Sequence, residues 1–560
     1  MRNNIKISSS SYGLQDFGHN RLRHGLLIIL LFSVFSLIAG NLISLAVLRP
    51  SDMKIHLASP IGVQKSRPDI VDAEGRLLAT DIEAPSLYAN PSGLMEPAMV
   101  VKKLKASMPE LDEMELLRQL TKKKQFVFIK RGMHPKRAQE IFDLGLPGVD
   151  VTPEIRRVYP KGSLGGYVLG HVDIDNVGRA GIEKFIDQAK AEDDSFLGEG
   201  REAQVHLSLN VGANYILQQE LSKALKLYKA KSAAGVVMNV HSGEVVALSS
   251  LPDLDPQRPA LQKDKERFDR ISGGVFELGS VFKTVTMAMA LEADTTTLDT
   301  KLDVTGPLKI GSHKINDYHG VKGELSVRDI FVRSSNIGTA KLALQQGPEA
   351  HRAFLEKLHL LEPLKTELGP MRAPQTVKRW GDVHSATISY GHGLSVAPLQ
   401  FVSAIGALVN GGIYVKPTFL QRSEREAKLN GERVVSVETS EKIRKLLRAV
   451  VTDKDGTARR AEVAPYRVGG KTGTANKVVN GKYSKTKVLT SFVGVFPADK
   501  PEYVVFVMLD EPQATKASKG LTVAGMNAAP TTGRIISRLA PLFRMKPFFP
   551  VLERVSFKRD

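Results

Sequence analysis

The feature that most constrains this 560-residue chain is an uncharged apolar run close to its N-terminus. Residues 25–48 read GLLIILLFSVFSLIAGNLISLAVL, without a single charged side chain. A helix of about 20 apolar residues crosses a lipid bilayer, whereas the apolar core of a cleaved signal peptide has only about 7–15 residues. The run therefore predicts a retained membrane-spanning helix rather than a signal peptide or a buried core helix.

The charges that precede this run predict its direction. Arg2, Lys6, Arg21 and Arg23 lie before it, opposed by one acid, Asp16. Because basic flanks stay on the cytoplasmic side, we expect a cytoplasmic N-terminus and a chain that emerges on the far side of the membrane near residue 49. No second apolar run of this length follows. Nucleotide cofactors are scarce in that compartment, so we expect no cofactor.

Net charge and cysteine content exclude several classes of function. The chain carries 78 basic and 59 acidic residues, a net charge of +19, and no cysteine. Disulfides and thiolate metal sites are thereby excluded. The basic residues are spread along the chain and are not interleaved with aromatic residues, so we expect no nucleic-acid partner. An anionic membrane surface or an anionic polymer suits this charge better.

Beyond the apolar run, the chain divides into two regions of different composition. Residues 49–205 are mixed and charged, with an extended piece at 68–79 and helical patterns at 97–108 and 111–123. No cluster of catalytic residue types stands out there, so we interpret this region as a spacer or docking module. From residue 206 onward, the pattern changes to helix, hairpin, long helical insert, further strands and final helix.

This second region predicts an antiparallel sheet with helices on both faces and a helical subdomain, which is an α+β fold. A hairpin is indicated by two apolar runs that flank a Ser242-Gly243 turn. The short β-rich runs further along are typical of central strands. The predicted elements are an amphipathic helix at 213–229, the hairpin at 234–248, strands at 489–496 and 503–509, and a last helix at 532–543.

The first of three short motifs that predict chemistry is Ser280-Val281-Phe282-Lys283, which opens an apolar helix pattern. Residues three apart share a helix face, so we expect Ser280 and Lys283 to come into contact. A serine hydroxyl becomes a strong nucleophile only when a base takes its proton. A lysine amine is a base only when it is neutral, and burial lowers its pKa in that direction.

The second motif is Ser334-Ser335-Asn336. We expect Ser334 to relay a proton between Lys283 and the leaving amine. We expect Asn336 to form hydrogen bonds with the substrate amide and with the lysine. Both residues would then belong to the same site as Ser280.

The third motif is Lys471-Thr472-Gly473-Thr474, expected on an edge strand. Lys471 and Thr472 are expected to bind a substrate carboxylate. Gly473 leaves room where the substrate backbone must lie close. The backbone N–H groups of Ser280 and Thr474 are expected to form an oxyanion hole, which is often the largest single contribution to catalysis.

Other interpretations of these clusters fit less well. A phosphate-binding loop would need a glycine five residues before Gly470, and that residue is Pro465. A loop with His313, Asp317 and His319 contains possible metal ligands, but their spacing matches no standard zinc pattern. We therefore expect no metal site and interpret this segment as a hydrogen-bonded loop.

The ordered trio resembles the Ser-x-x-Lys, Ser-Asp-Asn and Lys-Thr-Gly motifs of penicillin-recognising enzymes, with Ser335 in place of the central aspartate. Over nearly its whole length, the chain is similar to class B penicillin-binding proteins, and in particular to FtsI-type septal D,D-transpeptidases. The stretches that carry the resemblance are RPDIVDAEGRLLAT (67–80), RRVYP (156–160), AGIEK (180–184), GVFELGSVFK, SSNIG, YGHGLSVAPLQ (390–400) and GGKTGTA.

The resemblance implies a reaction. Ser280 is acylated by the penultimate D-alanine of a stem pentapeptide, Lys283 acts as the base, and the last D-alanine leaves. An amine of a neighbouring strand, from diaminopimelate, then attacks the acyl-enzyme, and β-lactams acylate the same serine. The implied site residues are Ser280, Lys283, Ser334, Asn336 and Lys471 for catalysis, and Ser335, Thr472, Gly473 and Thr474 for substrate binding.

The resemblance also implies an architecture and a location. The catalytic domain would be periplasmic, on a single-pass anchor in the bacterial inner membrane. No glycosyltransferase domain is evident, so an FtsW-type glycosyltransferase and other division proteins are the expected partners. The implied organisation is a cytoplasmic tail at 1–24, a transmembrane helix at 25–48, an elongated pedestal domain of the dimerisation type at 49–205, a transpeptidase domain at 206–548 and a C-terminal tail at 549–560.

Three alternatives remain open from the sequence. One is the elongation-specific transpeptidase of the same class. Another is hydrolysis, as in a β-lactamase or a D,D-carboxypeptidase, although no segment indicates the glutamate with which a class A β-lactamase activates water. The third is a non-catalytic β-lactam-binding scaffold or sensor, which would normally carry extra spans or a cytoplasmic signalling domain.

Overall fold

A computed structural model describes residues 16–47, 66–192, 204–263, 267–318, 320–377 and 379–548. The first helix, α1, spans Asp16–Val47, and its side chains are described over 25–40. Within the described residues, no helix meets the length and hydropathy needed to cross a membrane. The predicted span at 25–48 extends beyond the side chains that the structure describes, so the transmembrane helix stays a prediction.

Residues 66–192 fold into small sheets with short helices. Their helices confirm the predicted patterns at 97–108 and 111–123, with bounds shifted by at most three residues. The strands are β1 Asp69–Val71, β2 Leu77–Glu83, β3 Ser86–Ala89, β4 Val127–Lys130, β5 Val149–Thr152, β6 Ile155–Val158, β7 His171–Val172 and β8 Gly178–Ala180. The helices are α2 Pro97–Ser107, α3 Glu113–Leu120, α4 Pro135–Phe142, α5 Gly166–Leu169 and α6 Gly181–Glu192.

A buried ion network holds this region together. Glu183 pairs with Arg67 at 2.9 Å and with Arg157 at 2.7 Å, and its side chain is fully buried. Arg157 also pairs with Asp81 at 3.1 Å. The motif-like stretches at 67–80, 156–160 and 180–184 thus supply the members of the network or lie directly beside them. A buried charge costs several kcal/mol of free energy unless it is paired, so these residues depend on each other.

We expect Glu183→Ala to lower the free energy of unfolding by about 3–5 kcal/mol, because it leaves two buried guanidinium groups without their shared carboxylate. Urea denaturation followed by circular dichroism measures this loss. Glu115→Ala is the matched control, since Glu115 pairs with Arg118 on the exposed surface. Equal denaturation midpoints for the two variants would contradict a structural role for the network.

Residues 204–548 contain the larger sheet and most of the helices. The strands are β9 Gln204–His206, β10 Ser232–Asn239, β11 Val245–Leu251, β12 Lys301–Asp303, β13 Leu308–Ile310, β14 His313–Ile315, β15 Glu324–Ser326, β16 Lys365–Thr366, β17 Gly369–Pro370, β18 Ile413–Tyr414, β19 Glu432–Arg433, β20 Gly469–Val479, β21 Lys482–Phe496 and β22 Tyr503–Asp510. The helices are α7 Val211–Leu227, α8 Lys283–Glu292, α9 Val327–Arg333, α10 Asn336–Gln346, α11 Pro348–Lys357, α12 Asp382–Ile388, α13 Pro398–Val409, α14 Glu424–Leu429, α15 Val437–Thr452 and α16 Ala528–Leu542.

The main sheet has the strand order β11-β10-β22-β21-β20, and all its neighbours are antiparallel. This confirms the predicted antiparallel sheet, the hairpin and the edge position of the strand with the third motif. Helices α7 and α16 pack against each other and against the sheet, and α13 packs against β10, β22 and α8. The predicted helical insert is confirmed as α8–α15, between β11 and β20.

The two regions are joined by strand pairing. Strand β9, at the start of the second region, pairs in parallel with β1 in the first. The described residues between 66 and 548 belong to one compact unit. The domain boundary predicted near residue 205 therefore stays a prediction, and the fold is a mixed α/β arrangement in which the serine motif lies at the base of the helical insert.

Candidate active site

Ser280 lies in a tight turn directly before the apolar helix. The turn spans Gly279–Phe282 as a 3-10 helix, and α8 begins at Lys283. Two contacts fix the turn: Gly279 N donates to Gly391 O at 3.2 Å, and Ser491 Oγ donates to Leu278 O at 3.3 Å. Ser280 itself is only half-buried. The fold thus presents this hydroxyl on a rigid support while leaving it accessible.

Two glycines allow the turn to dock. A Cβ atom on Gly473 would lie 2.4 Å from Leu278 O, and one on Gly391 would lie 2.1 Å from Gly279 O. Gly391 also has a φ of +88°, which few L-residues adopt. The predicted reason for Gly473 was space for a substrate backbone. The structure adds another reason, namely that β20 packs directly against the chain that leads to Ser280.

The Lys283 amine is directed toward the second motif. It donates to Ser334 O at 2.5 Å, to Ser334 Oγ at 3.1 Å and to Asn336 Oδ1 at 2.7 Å. The Lys283 side chain is fully buried. The expected contact between Lys283 and Asn336 is therefore present. Within the described residues, no hydrogen bond joins Lys283 to Ser280.

The Lys471 amine meets the same serine. It donates to Ser334 Oγ at 2.9 Å and to Thr472 O at 3.3 Å, and it lies 5.7 Å from the centre of the Phe331 ring. This side chain is also fully buried. The Ser334 hydroxyl thus connects two buried amines, and the three predicted motifs meet at one point.

Burial controls the protonation of both lysines. It holds the pKa of Lys283 well below its usual range; the charge of Lys471 lowers it further, and the Asp317 carboxylate opposes both effects. Burial lowers the pKa of Lys471 to about 7. Burial and the neighbouring amine thus both favour the neutral form of Lys283, which is the state that a general base requires.

Ser334 sits between two helices in an unusual backbone conformation. It follows α9 with a φ of +64° and ψ of 43°, in the left-handed region. Ser335 then caps α10, its Oγ accepting from Gly338 N at 3.0 Å. Left-handed backbone costs a non-glycine residue about 1–3 kcal/mol and is concentrated at functional sites. This backbone conformation at the helix junction places the Ser334 hydroxyl within hydrogen-bond distance of both amines.

Asp317 completes the second motif, although its sequence pattern predicted only a hydrogen-bonded loop. Its carboxylate accepts from Ser335 Oγ at 2.6 Å, from Asn336 N at 2.5 Å and from Ile337 N at 3.0 Å. The hydrogen-bonded loop is thus confirmed. His319 of the same loop lies outside the described residues. The sequence feature that could have indicated this role of Asp317 is Ser335, because Ser335 stands where the related Ser-Asp-Asn motif carries its own aspartate.

The remaining predicted residues lie along β20. Thr472 Oγ1 lies 2.7 Å from Thr457 Oγ1, and Thr474 Oγ1 accepts from Ala524 N at 3.2 Å. These contacts fix both side chains on the edge strand. Substrate contacts of Thr472, Gly473 and Thr474 stay predictions.

Known proteins match this arrangement over most of the chain. Residues 233–531 match the family model described as penicillin binding protein transpeptidase domain. The chain belongs to this family. Residues 63–194 match the penicillin-binding protein dimerisation domain. The expected resemblance to penicillin-binding proteins and the expected enzyme class, a transpeptidase, are confirmed by these matches.

Individual relatives agree with the family assignment. A protein of Caulobacter vibrioides, named probable peptidoglycan D,D-transpeptidase FtsI, is 35% identical over 87% of this chain and 82% of its own length. The peptidoglycan D,D-transpeptidase FtsI of Escherichia coli K12 is 28% identical over 87% of this chain and 85% of its own. Penicillin-binding protein 3 from Mycobacterium tuberculosis, solved with aztreonam, aligns with a TM-score of 0.67 and 25% identity, over 87% of this chain and 98% of the solved one.

We expect Asp317→Ala to slow acylation by a fluorescent penicillin at least about tenfold, because it leaves the Ser335 hydroxyl and two backbone N–H groups without their acceptor. Asp317→Asn should recover part of the rate, since an amide oxygen still accepts from the two N–H groups. The rate is read from in-gel fluorescence over time.

A matched control for this prediction is Asp303→Ala. Asp303 is an exposed aspartate of the same insert, and it accepts from Thr305 N at 2.9 Å. This variant should acylate like the wild type. Equal rates for the wild type, Asp317→Ala and Asp303→Ala would show that Asp317 does not position the second motif.

Proposed function

We propose that this chain is a peptidoglycan D,D-transpeptidase that cross-links stem peptides through an acyl-enzyme at Ser280. The observation that carries the proposal is the pair of buried amines, Lys283 and Lys471, which meet at the Ser334 hydroxyl beside an accessible serine. This arrangement supports acyl transfer, because it supplies a nucleophile, a neutral base and a path for a proton. The names of the relatives point to the same reaction.

In the proposed first half-reaction, Lys283 takes the proton of Ser280 as the hydroxyl oxygen attacks the carbonyl carbon of the penultimate D-alanine. The peptide C–N bond then breaks. The proton passes from Lys283 through the Ser334 hydroxyl to the leaving amine, and free D-alanine departs. Ser334 suits this relay because it lies within hydrogen-bond distance of both lysines.

The donor peptide is proposed to lie along β20. An edge strand carries unpaired backbone N–H and C=O groups, to which an extended peptide can add as a further strand. Lys471 and Thr472 would hold its terminal carboxylate, and the backbone N–H groups of Ser280 and Thr474 would stabilise the oxyanion. This use of β20 is supported by its edge position in the sheet. β-Lactams would acylate Ser280 by the same route.

We expect wild-type protein to become covalently labelled by a fluorescent penicillin and Ser280→Ala to remain unlabelled, since the variant lacks the proposed nucleophile. Gel electrophoresis under denaturing conditions separates covalent from reversible binding. Ser272→Ala serves as the control and should label normally. In the wild type, the Ser272 hydroxyl donates a hydrogen bond to the Asp269 carboxylate. Equal labelling of the wild type and Ser280→Ala would refute the assignment of the nucleophile.

Membrane anchoring is part of the proposal. The apolar run at 25–48 would hold the chain in the inner membrane, with a cytoplasmic N-terminus and the catalytic region in the periplasm, where peptidoglycan lies. The predicted tails at 1–24 and 549–560 would flank these parts. An FtsW-type glycosyltransferase would supply uncross-linked strands, because we find no glycosyltransferase signature in this sequence.

The proposed pathway is septal cell-wall synthesis, which the FtsI names of the relatives support. We expect depletion of the chain in its own organism to give filamentous cells, because elongation continues while septum closure fails. Phase-contrast microscopy during depletion checks this. Complementation with the wild type should restore division and Ser280→Ala should not. Round cells would instead assign the chain to elongation, with the same chemistry.

A further inference from the structure

A second polar cluster adjoins the serine turn and has no part in the acylation chemistry above. It consists of Glu277, Tyr390, His392 and Tyr483. Glu277 lies three residues before Ser280. Its Oε1 accepts from Gly393 N at 2.8 Å and from the Tyr483 hydroxyl at 3.0 Å. These bonds tie the cluster to the turn that carries the nucleophile.

Two atoms of the cluster are buried without a hydrogen-bond partner among the described residues. They are Glu277 Oε2 and His392 Nδ1. A buried polar atom without a partner costs about 1–3 kcal/mol. Such atoms call for an explanation, and a positively charged group with N–H donors is the chemistry that would pair with them.

A cavity adjoins the cluster at Glu277 and has room for such a group. It has a volume of about 550 Å³, and its lining includes Glu277, Gly393, and Ala475 and Asn476 of β20. Typical ligand sites have volumes of about 300–1,000 Å³. The cavity therefore lies between the approach to Ser280 and the strand on which the donor peptide is proposed to bind.

The rings around His392 fix its position. Its ring centre lies 5.4 Å from that of Tyr390 and 5.6 Å from that of Tyr483. Burial lowers the pKa of His392; the Glu277 carboxylate opposes this effect, and the Lys283 amine adds to it. The two facing phenols are neutral at physiological pH, because burial raises the pKa of Tyr390 to about 12 and that of Tyr483 further. The imidazole is thus neutral near pH 7 and able to accept a proton.

We propose that Glu277 and His392 form the site for the acceptor amine, with Glu277 binding the incoming ammonium group and His392 taking its proton. The inference rests on the proposed function and extends it to the second half-reaction. It names the chemistry of the acceptor, a primary ammonium group on a peptide side chain. The carboxylate and the imidazole supply the binding and the deprotonation that such a group requires.

The proposed step balances in atoms and protons. His392 takes one proton from the ammonium group, which frees the nitrogen lone pair. The nitrogen attacks the ester carbon of the acyl-enzyme, the C–Oγ bond of Ser280 breaks, and an amide forms. The second proton of the nitrogen passes through Lys283 to Ser280 Oγ. His392 finally releases its proton to solvent.

The test measures how the acyl-enzyme partitions between aminolysis and hydrolysis. The full chain is acylated with an N-benzoyl-D-alanyl thioester, a donor that carries no ammonium group, and meso-diaminopimelate is added as the acceptor. Chromatography gives the ratio of amide product to free acid. Both products come from acyl-enzyme, which only folded protein forms. Their ratio therefore does not depend on the fraction of a variant that folds.

Each variant has its own expected signature. Glu277→Gln should raise the acceptor concentration for half-maximal aminolysis about tenfold, because it removes the charge that binds the ammonium group. His392→Asn and His392→Gln should lower the ratio at saturating acceptor at least about tenfold, because they remove the base. They should also remove the loss of aminolysis that the wild type shows as falling pH protonates the imidazole.

The matched control is a histidine–glutamate pair outside the cleft. His359 Nε2 lies 3.2 Å from Glu432 Oε2, and both side chains are at least partly exposed. His359→Asn and Glu432→Gln should leave the ratio unchanged. An unchanged ratio in Glu277→Gln and in both His392 variants would overturn the inference.

Two further outcomes separate the possible failures. If both His392 variants fail to form any acyl-enzyme, the inference is overturned, since the imidazole would then serve the first half-reaction. If the Glu277 variant changes partitioning only with an amine-bearing donor, Glu277 binds the donor and the inference is overturned as well. Failure of the wild type itself to acylate would count against the proposed function instead.

Discussion

The Ser334 hydroxyl lies between two fully buried amines, and the geometry of the active site depends on this contact. Lys283 and Lys471 approach it at 3.1 and 2.9 Å. Burial and mutual repulsion each favour the neutral form of these amines. The packing of the fold therefore favours a free base. Three elements far apart in sequence, α8, the α9–α10 junction and β20, must meet for this to occur.

Local sequence patterns predicted much of this fold. The central strands were predicted from short apolar runs, and the hairpin from the turn residues Ser242 and Gly243. Both features can be read directly from the sequence. The three motifs were predicted to meet because their chemistry requires it. Asp317 was not assigned to these motifs. Its carboxylate lies on a separate loop and accepts hydrogen bonds from the start of α10, and such a contact produces no pattern in the local sequence. The close packing of Gly473 on Leu278 was missed for the same reason, since it is a contact between segments about 200 residues apart.

The stretches at 67–80, 156–160 and 180–184 now have a physical explanation. They carried the resemblance in the first region without any chemistry to account for them. In the structure, Arg67, Arg157 and Glu183 share one buried network. The cost of burying each charge is offset only by its pairing with the others. Replacement of a single member leaves an unpaired buried charge, which destabilises the fold. The network stabilises a junction from which β1 pairs directly with β9 of the second region.

The edge position of β20 limits how such an enzyme can change in evolution. Recognition by a strand edge uses backbone atoms, and backbone atoms are the same whichever side chain is encoded. A mutant cannot discard them without disrupting the sheet, and Gly473 excludes even a methyl group where β20 packs against the chain that leads to Ser280. If a peptide-like inhibitor adds along β20, as proposed for the donor peptide, changes that weaken its binding would arise at the rim of the cleft, in side chains beyond residue 475 or in the insert.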